Sequence, residues 1–175
     1  GHVKPAYLTS LVKIERKMNV CADALPRLAA LTGGEAEVMK AWGEYLKLSN
    51  KEKTSLADLG CHVGAFSSTL EDLAQKALLY RLGEKTYRQC AVLAWSLESE
   101  KADISAWEKI VTLGQRWQAP VFPATGADVL ALGVGAGPKV GEILSQLERE
   151  WIDVGFSWTT SELMARLKTM VQGQQ

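Results

Sequence analysis

Apolar residues recur at spacings of three and four over most of the chain. Leu70, Leu73, Ala74, Ala77 and Leu78 form one such stripe, and Ile143, Leu144, Leu147 and Trp151 another. That period lays the apolar side chains along one face of an α-helix, not on alternate sides of a strand. Polar punctuation agrees. Ser49-Asn-Lys-Glu52, Ser68-Thr-Leu-Glu71, Ser105-Ala-Trp-Glu108 and Thr159-Thr-Ser-Glu162 have the capping-box pattern, and Thr125-Gly-Ala-Asp128 is a variant with a shorter acid. In this pattern the hydroxyl and the acid satisfy two orphan amides reciprocally. The pattern predicts helices near 6–18, 23–31, 35–47, 50–60, 69–82, 85–98, 104–117, 126–132, 138–153 and 160–171. Gly83 should end one of them in a left-handed conformation. No segment alternates as a strand would, and Pro120-Val-Phe-Pro123 reads as an extended linker. The expected fold is all-α, with no significant sheet. A multi-helix bundle over 3–117 forms the body, and a smaller helical tail over 121–172 carries a glycine-rich helix-hairpin-helix-like motif.

Composition narrows the function classes. With 47% hydrophobic and 23% charged residues in 175, the chain is ordinary for a globular protein. Lys+Arg and Asp+Glu both total 20, so bulk charge does not draw the chain to nucleic acid, and any anion site must come from local geometry. Cys21, Cys61 and Cys90 are odd in number and far apart, which suits a reducing cytoplasm better than a disulfide framework. Apolar runs such as Ala91–Trp95 are too short to cross a bilayer, so no membrane partner is expected. Gly1-His2 reads as a cloning remnant.

Searches for a catalytic centre fail. The acid pairs Glu35/Glu37, Glu98/Glu100 and Glu148/Glu150 fall at helix ends or on a helix, where residues two apart diverge. They read as solvated faces or helix-end charge instead of convergent metal ligands. Cys61-His62 is adjacent in sequence with no second ligand pair spaced to help, so no metal site is expected. Gly133-Val-Gly135-Ala-Gly137-Pro-Lys139-Val140 lacks the Gly-Lys-Ser/Thr of a phosphate-binding P-loop, and Pro138 breaks the register of a dinucleotide fingerprint.

What this run does offer is simpler. Glycines reverse the chain after a short helix, Gly137 can serve as N-cap, and Pro138 opens the next helix at the position that needs no amide hydrogen. The amides of Lys139 and Val140 then point outward at the positive end of the helix dipole, with the Lys139 ammonium beside them, and a phosphate can approach closely. The competing reading is a tight corner between packed helices. A second basic surface is Lys76, Arg81, Lys85 and Arg88, flanked by Tyr80 and Tyr87. A third is Lys47, Lys51 and Lys53. For both, a solvated helix face is the alternative. The tryptophans, including Trp42, Trp95, Trp107 and Trp151, sit at apolar helical positions and are expected in cores.

Gly126-Ala-Asp128-Val-Leu-Ala-Leu-Gly133, followed by Gly137-Pro138-Lys-Val-Gly141-Glu-Ile-Leu144, Leu147 and Trp151, resembles the tail motif of bacterial tRNA nucleotidyltransferases, the CCA-adding enzymes, and the related poly(A) polymerases. Phe122-Pro123 ahead of it fits. Leu46-Lys-Leu-Ser49-Asn50-Lys-Glu52, Tyr80-Arg81-Leu82-Gly83 and Leu93-Ala94-Trp95 are similar to the body of the same family. The resemblance covers roughly residues 20–172, and Ala136 stands where the family usually has proline. It implies a parent that transfers nucleotidyl groups from CTP and ATP to a tRNA 3′ end with magnesium, in an N-terminal catalytic head that is absent here. This region, with no catalytic residue, metal or cofactor of its own, would hold tRNA or another RNA through phosphate contacts at Gly137, Lys139, Val140, Arg81, Lys85 and Arg88. The alternative is a helical scaffold or homodimerisation module without direct RNA contact.

Overall fold

A computed structural model describes residues 3–98 and 103–173. His2 and Glu100 lie outside the described residues. Those described are all-helical, as the 3.6-residue period requires, with no strand among them. They fall into two compact units, Gly1–Gln118 and Ala119–Gln175. Among them no helix is long and apolar enough to cross a membrane.

The first unit comprises α1 (Pro5–Lys17), α2 (Ala24–Leu31), α3 (Ala36–Tyr45), α4 (Asn50–His62), α5 (Asp72–Leu97), α6 (Ile104–Val111) and α7 (Leu113–Arg116). Helix α5 packs against α1, α2, α4, α6 and α7. Its C-terminal half explains this central position: Cys90 to Trp95 are all buried, so the helix is apolar all round and must be enclosed. Leu11, Met39, Leu56, Leu59 and Ile110 from the surrounding helices complete the core. One charge enters it. Glu15 is only 5% exposed, and a single oxygen accepts from Arg27 Nε at 3.2 Å and Nη2 at 2.8 Å. A carboxylate this buried requires such a partner.

Several local expectations need correction. Helix α5 begins at Asp72, with Glu71 as N-cap, because the Ser68 hydroxyl donates to Glu98 at 2.8 Å and does not cap the helix. At Gly83 the φ of 73° and ψ of 161° are non-helical, so α5 is two helices meeting at a kink, and the first of them ends there as expected. The positive φ fits the expectation, but the extended ψ is not that of a left-handed C-cap. Ser105 lies inside α6, whose N-cap is Asp103, accepting from the Ala106 amide at 3.1 Å. The helix expected over 104–117 is divided at Thr112. Glu98 is no solvated acid either, since it accepts from both Ser68 and the Trp107 indole N–H.

The second unit contains α8 (Gly126–Ala131), α9 (Pro138–Asp153) and α10 (Thr160–Gln172), with α9 packed on both others. Its buried residues include Val129, Leu163 and Leu167, with Ile143, Leu147 and Trp151 of the predicted stripe. Phe122 and Phe156 lie 5.4 Å and 5.0 Å from the Trp151 ring, centroid to centroid. The Thr159 hydroxyl caps α10 by accepting from Glu162 N at 3.3 Å, and at the start of α8 the Thr125 amide donates to Asp128 Oδ2 at 2.7 Å. Glu150, read from sequence as a solvated acid, instead joins α9 to α10 by accepting from Arg166 Nε at 2.6 Å and Nη2 at 2.9 Å. Those bonds hold its carboxyl below the usual range.

Candidate nucleic-acid interface

The glycine turn joins α8 to α9. Thr125 and Asp128 fix its entry: the Thr125 hydroxyl and amide both donate to the Asp128 carboxylate, which lowers that group's pKa. The turn leaves α8 through Gly133 and reaches α9 through Gly137, the N-cap, with φ 155° and ψ −172°. Pro138 follows at the first helical position, where its missing N–H leaves no helical bond unmade. The residues Gly133, Gly135, Ala136, Gly137, Pro138 and Lys139 are exposed. A methyl group added at Gly133, Gly135, Gly137 or Gly141 would meet no neighbouring atom within 4 Å. The space around this backbone is therefore open to a bulky anion.

One part of the expectation changes. The Val140 amide donates to the Gly137 carbonyl at 3.2 Å, and the Val140 side chain is half-buried, 3.6 Å from where a Gly126 Cβ would sit. Val140 thus tightens the turn and braces α8 instead of presenting a free amide. With Pro138 lacking an N–H, the first turn presents the Lys139 amide. Its ammonium is exposed and has no ion-pair partner among the described residues.

The second basic surface lies on α5 around the Gly83 break. Arg81 and Lys85 are exposed, while Arg88 is half-buried and ion-paired to Glu84 one turn away. Lys85 Nζ lies 3.7 Å from Asp23 Oδ2, and Lys76 pairs with Asp72 at 2.6 Å. Tyr87 does not flank the surface. It is 1% exposed, edge-on to Phe66 at 5.1 Å in the core, and burial raises its hydroxyl pKa. In the third cluster Lys53 pairs with Glu44 at 2.6 Å, leaving Lys47 and Lys51 exposed. The signal missed from sequence was the set of acids one helical turn or one helix away, which neutralises part of each patch.

Among the described residues no group of three or more His, Cys, Asp or Glu side chains is placed to hold a metal ion. Cys21, Cys61 and Cys90 are unpaired, and burial pushes the Cys90 thiol up to about 12, far from the thiolate a nucleophile needs. Trp95, Trp107 and Trp151 are buried, as core residues should be.

The turn thus offers an open backbone with an exposed ammonium beside it, and α5 a surface whose cations are partly paired with acids. The chain is 33% identical over 54 residues to CCA tRNA nucleotidyltransferase 1, mitochondrial, of Mus musculus and to the Homo sapiens protein of the same name. The similar stretch covers 31% of this chain and 12% of the length of either relative. No family model matches the chain.

Proposed function

We propose that this chain is the RNA-holding, non-catalytic body and tail of a bacterial tRNA nucleotidyltransferase or a related poly(A) polymerase, acting in the cytoplasm. It grips the phosphates of tRNA or another RNA while a catalytic head in the same polypeptide extends the 3′ end. Local similarity to two proteins named as CCA tRNA nucleotidyltransferases supports the reaction, and the tail motif from Gly126 to Trp151 supports the choice of region. On this reading magnesium, CTP and ATP are handled by the head. The observation that carries the proposal is the open backbone of the turn ending Gly137-Pro138-Lys139, where a helix N-terminus adjoins an exposed lysine. Each attracts an anion, and none reads a base, so the grip is independent of sequence.

Lys139→Ala tests it. The substitution is expected to weaken binding of a tRNA transcript about three- to tenfold at low salt, the scale of one charge-assisted hydrogen bond. It should also reduce the slope of log affinity against log salt by about 1. An unchanged affinity and slope would remove the turn from the interface. A tight dimer in sedimentation, with no tRNA binding, would favour a helical scaffold instead.

A further inference from the structure

A groove of about 410 Å³ lies at the C-terminal end of α5 in the first unit. Val63, Phe66, Ala94, Leu97 and Trp107 give it an apolar lining, and Glu98 is the one charged residue among those that line it. Both oxygens of that half-buried carboxylate face neutral donors. Oε1 accepts from the Ser68 hydroxyl at 2.8 Å, and Oε2 accepts from the Trp107 indole N–H. Among the described residues Glu98 has no cationic partner.

The helix end adds to the imbalance. Glu98 is the C-cap of α5, and the last turn of that helix contains no basic residue. The helix dipole places partial negative charge at this end, where a cation is favoured. A carboxylate set there in apolar surroundings lacks the charge partner that partial burial calls for.

We propose that this groove docks an arginine side chain of a partner protein, with the guanidinium on Glu98 and apolar neighbours of that arginine covering the hydrophobic lining. Each Glu98 oxygen accepts one bond and keeps a further lone pair, so a guanidinium can bridge the two. Arginine also sheds water more readily than lysine, which suits an apolar groove. A phosphate would be repelled by Glu98. The inference therefore goes beyond the RNA-holding reading and does not depend on it.

The test compares two acetylated, amidated pentapeptides, Ala-Leu-Arg-Leu-Ala and its citrulline twin, which keeps the shape and loses the charge. Titrated into the ¹⁵N-labelled chain, the arginine peptide should shift the Trp107 indole N–H and the Leu97 amide saturably. It should bind about tenfold more tightly than the citrulline peptide, the scale of one charge-assisted hydrogen bond. Glu98→Gln should erase that preference. Its oxygen still accepts from Trp107, and its NH₂ group can donate to Ser68 Oγ, so the groove keeps its form. Gly64→Leu should block both peptides, since a side chain starting from this lining residue meets no atom within 4 Å and extends into the open groove. Equal binding of the two peptides, or a preference that survives Glu98→Gln, would overturn the proposal. Arginine-peptide binding that rises about tenfold in Lys101→Ala would make the chain's own lysine the occupant and overturn the partner. Self-association that Glu98→Gln abolishes would give the groove to a second copy of the chain, with the same consequence.

Discussion

Replacing Trp151 by alanine is expected to unfold the C-terminal unit while the N-terminal unit stays folded. Trp151 is 3% exposed and holds Phe122 and Phe156 against α9. Truncating a buried tryptophan costs about 3–5 kcal/mol. A unit of about 60 residues has roughly that much stability in total, because so small a body buries only about 60% of its surface. Amide spectra should show resonances of 119–173 collapsing while those of the first unit remain dispersed. tRNA binding through the turn should fall with them, since the turn carrying Gly137 and Lys139 joins α8 to α9 and depends on their packing. A variant that keeps dispersed tail resonances would show that the three-ring cluster is not what holds this unit together.

Trp107→Ala should be the matching lesion in the N-terminal unit, at about 3–5 kcal/mol. The indole is 1% exposed, stacks on Trp95 at 6.2 Å, and donates to Glu98. Trp107→Phe separates the two contributions, because it keeps most of the ring and removes only the N–H. Its cost should be about 1–3 kcal/mol, that of leaving a part-buried carboxylate one donor short. Equal losses in the two variants, measured by chemical denaturation, would mean that the hydrogen bond and not the packing dominates.

What was legible in the sequence was local. Pro138 preceded by Gly137 marks the start of α9 without ambiguity, since an imino acid suits the first helical position and few others. Thr159 and Glu162, three apart, satisfy each other with no help from elsewhere in the fold. The same spacing misled at Ser68 and Glu71, because the Ser68 hydroxyl finds Glu98, thirty residues away. It misled at Ser105 because Asp103, two residues earlier, takes the cap. Gly83 marks the end of the first half of α5 in the sequence as in the fold, whereas the enclosure of the apolar second half from Cys90 onward by α1, α4 and α6 depends on tertiary packing.

The candidate site divides in the same way. Openness at Gly133, Gly135 and Gly137 follows from the residues themselves. The inward turn of the Val140 amide depends on how the first helical turn closes. Pairing of Lys85 with Asp23, burial of Glu15 against Arg27, and the shared groove of Lys51 and Lys85 all join residues on different helices. No helical period brings such residues together. Tertiary packing does, so those parts of the interface became visible only in the fold.

The claim that the turn before α9 grips an RNA phosphate is tested most directly by following backbone amides of the ¹⁵N-labelled chain as tRNA is added. The Lys139 and Gly137 amide resonances should shift together and saturate with the binding curve, returning toward their free positions as salt is raised. Saturable tRNA binding that leaves both resonances in place would contradict the account.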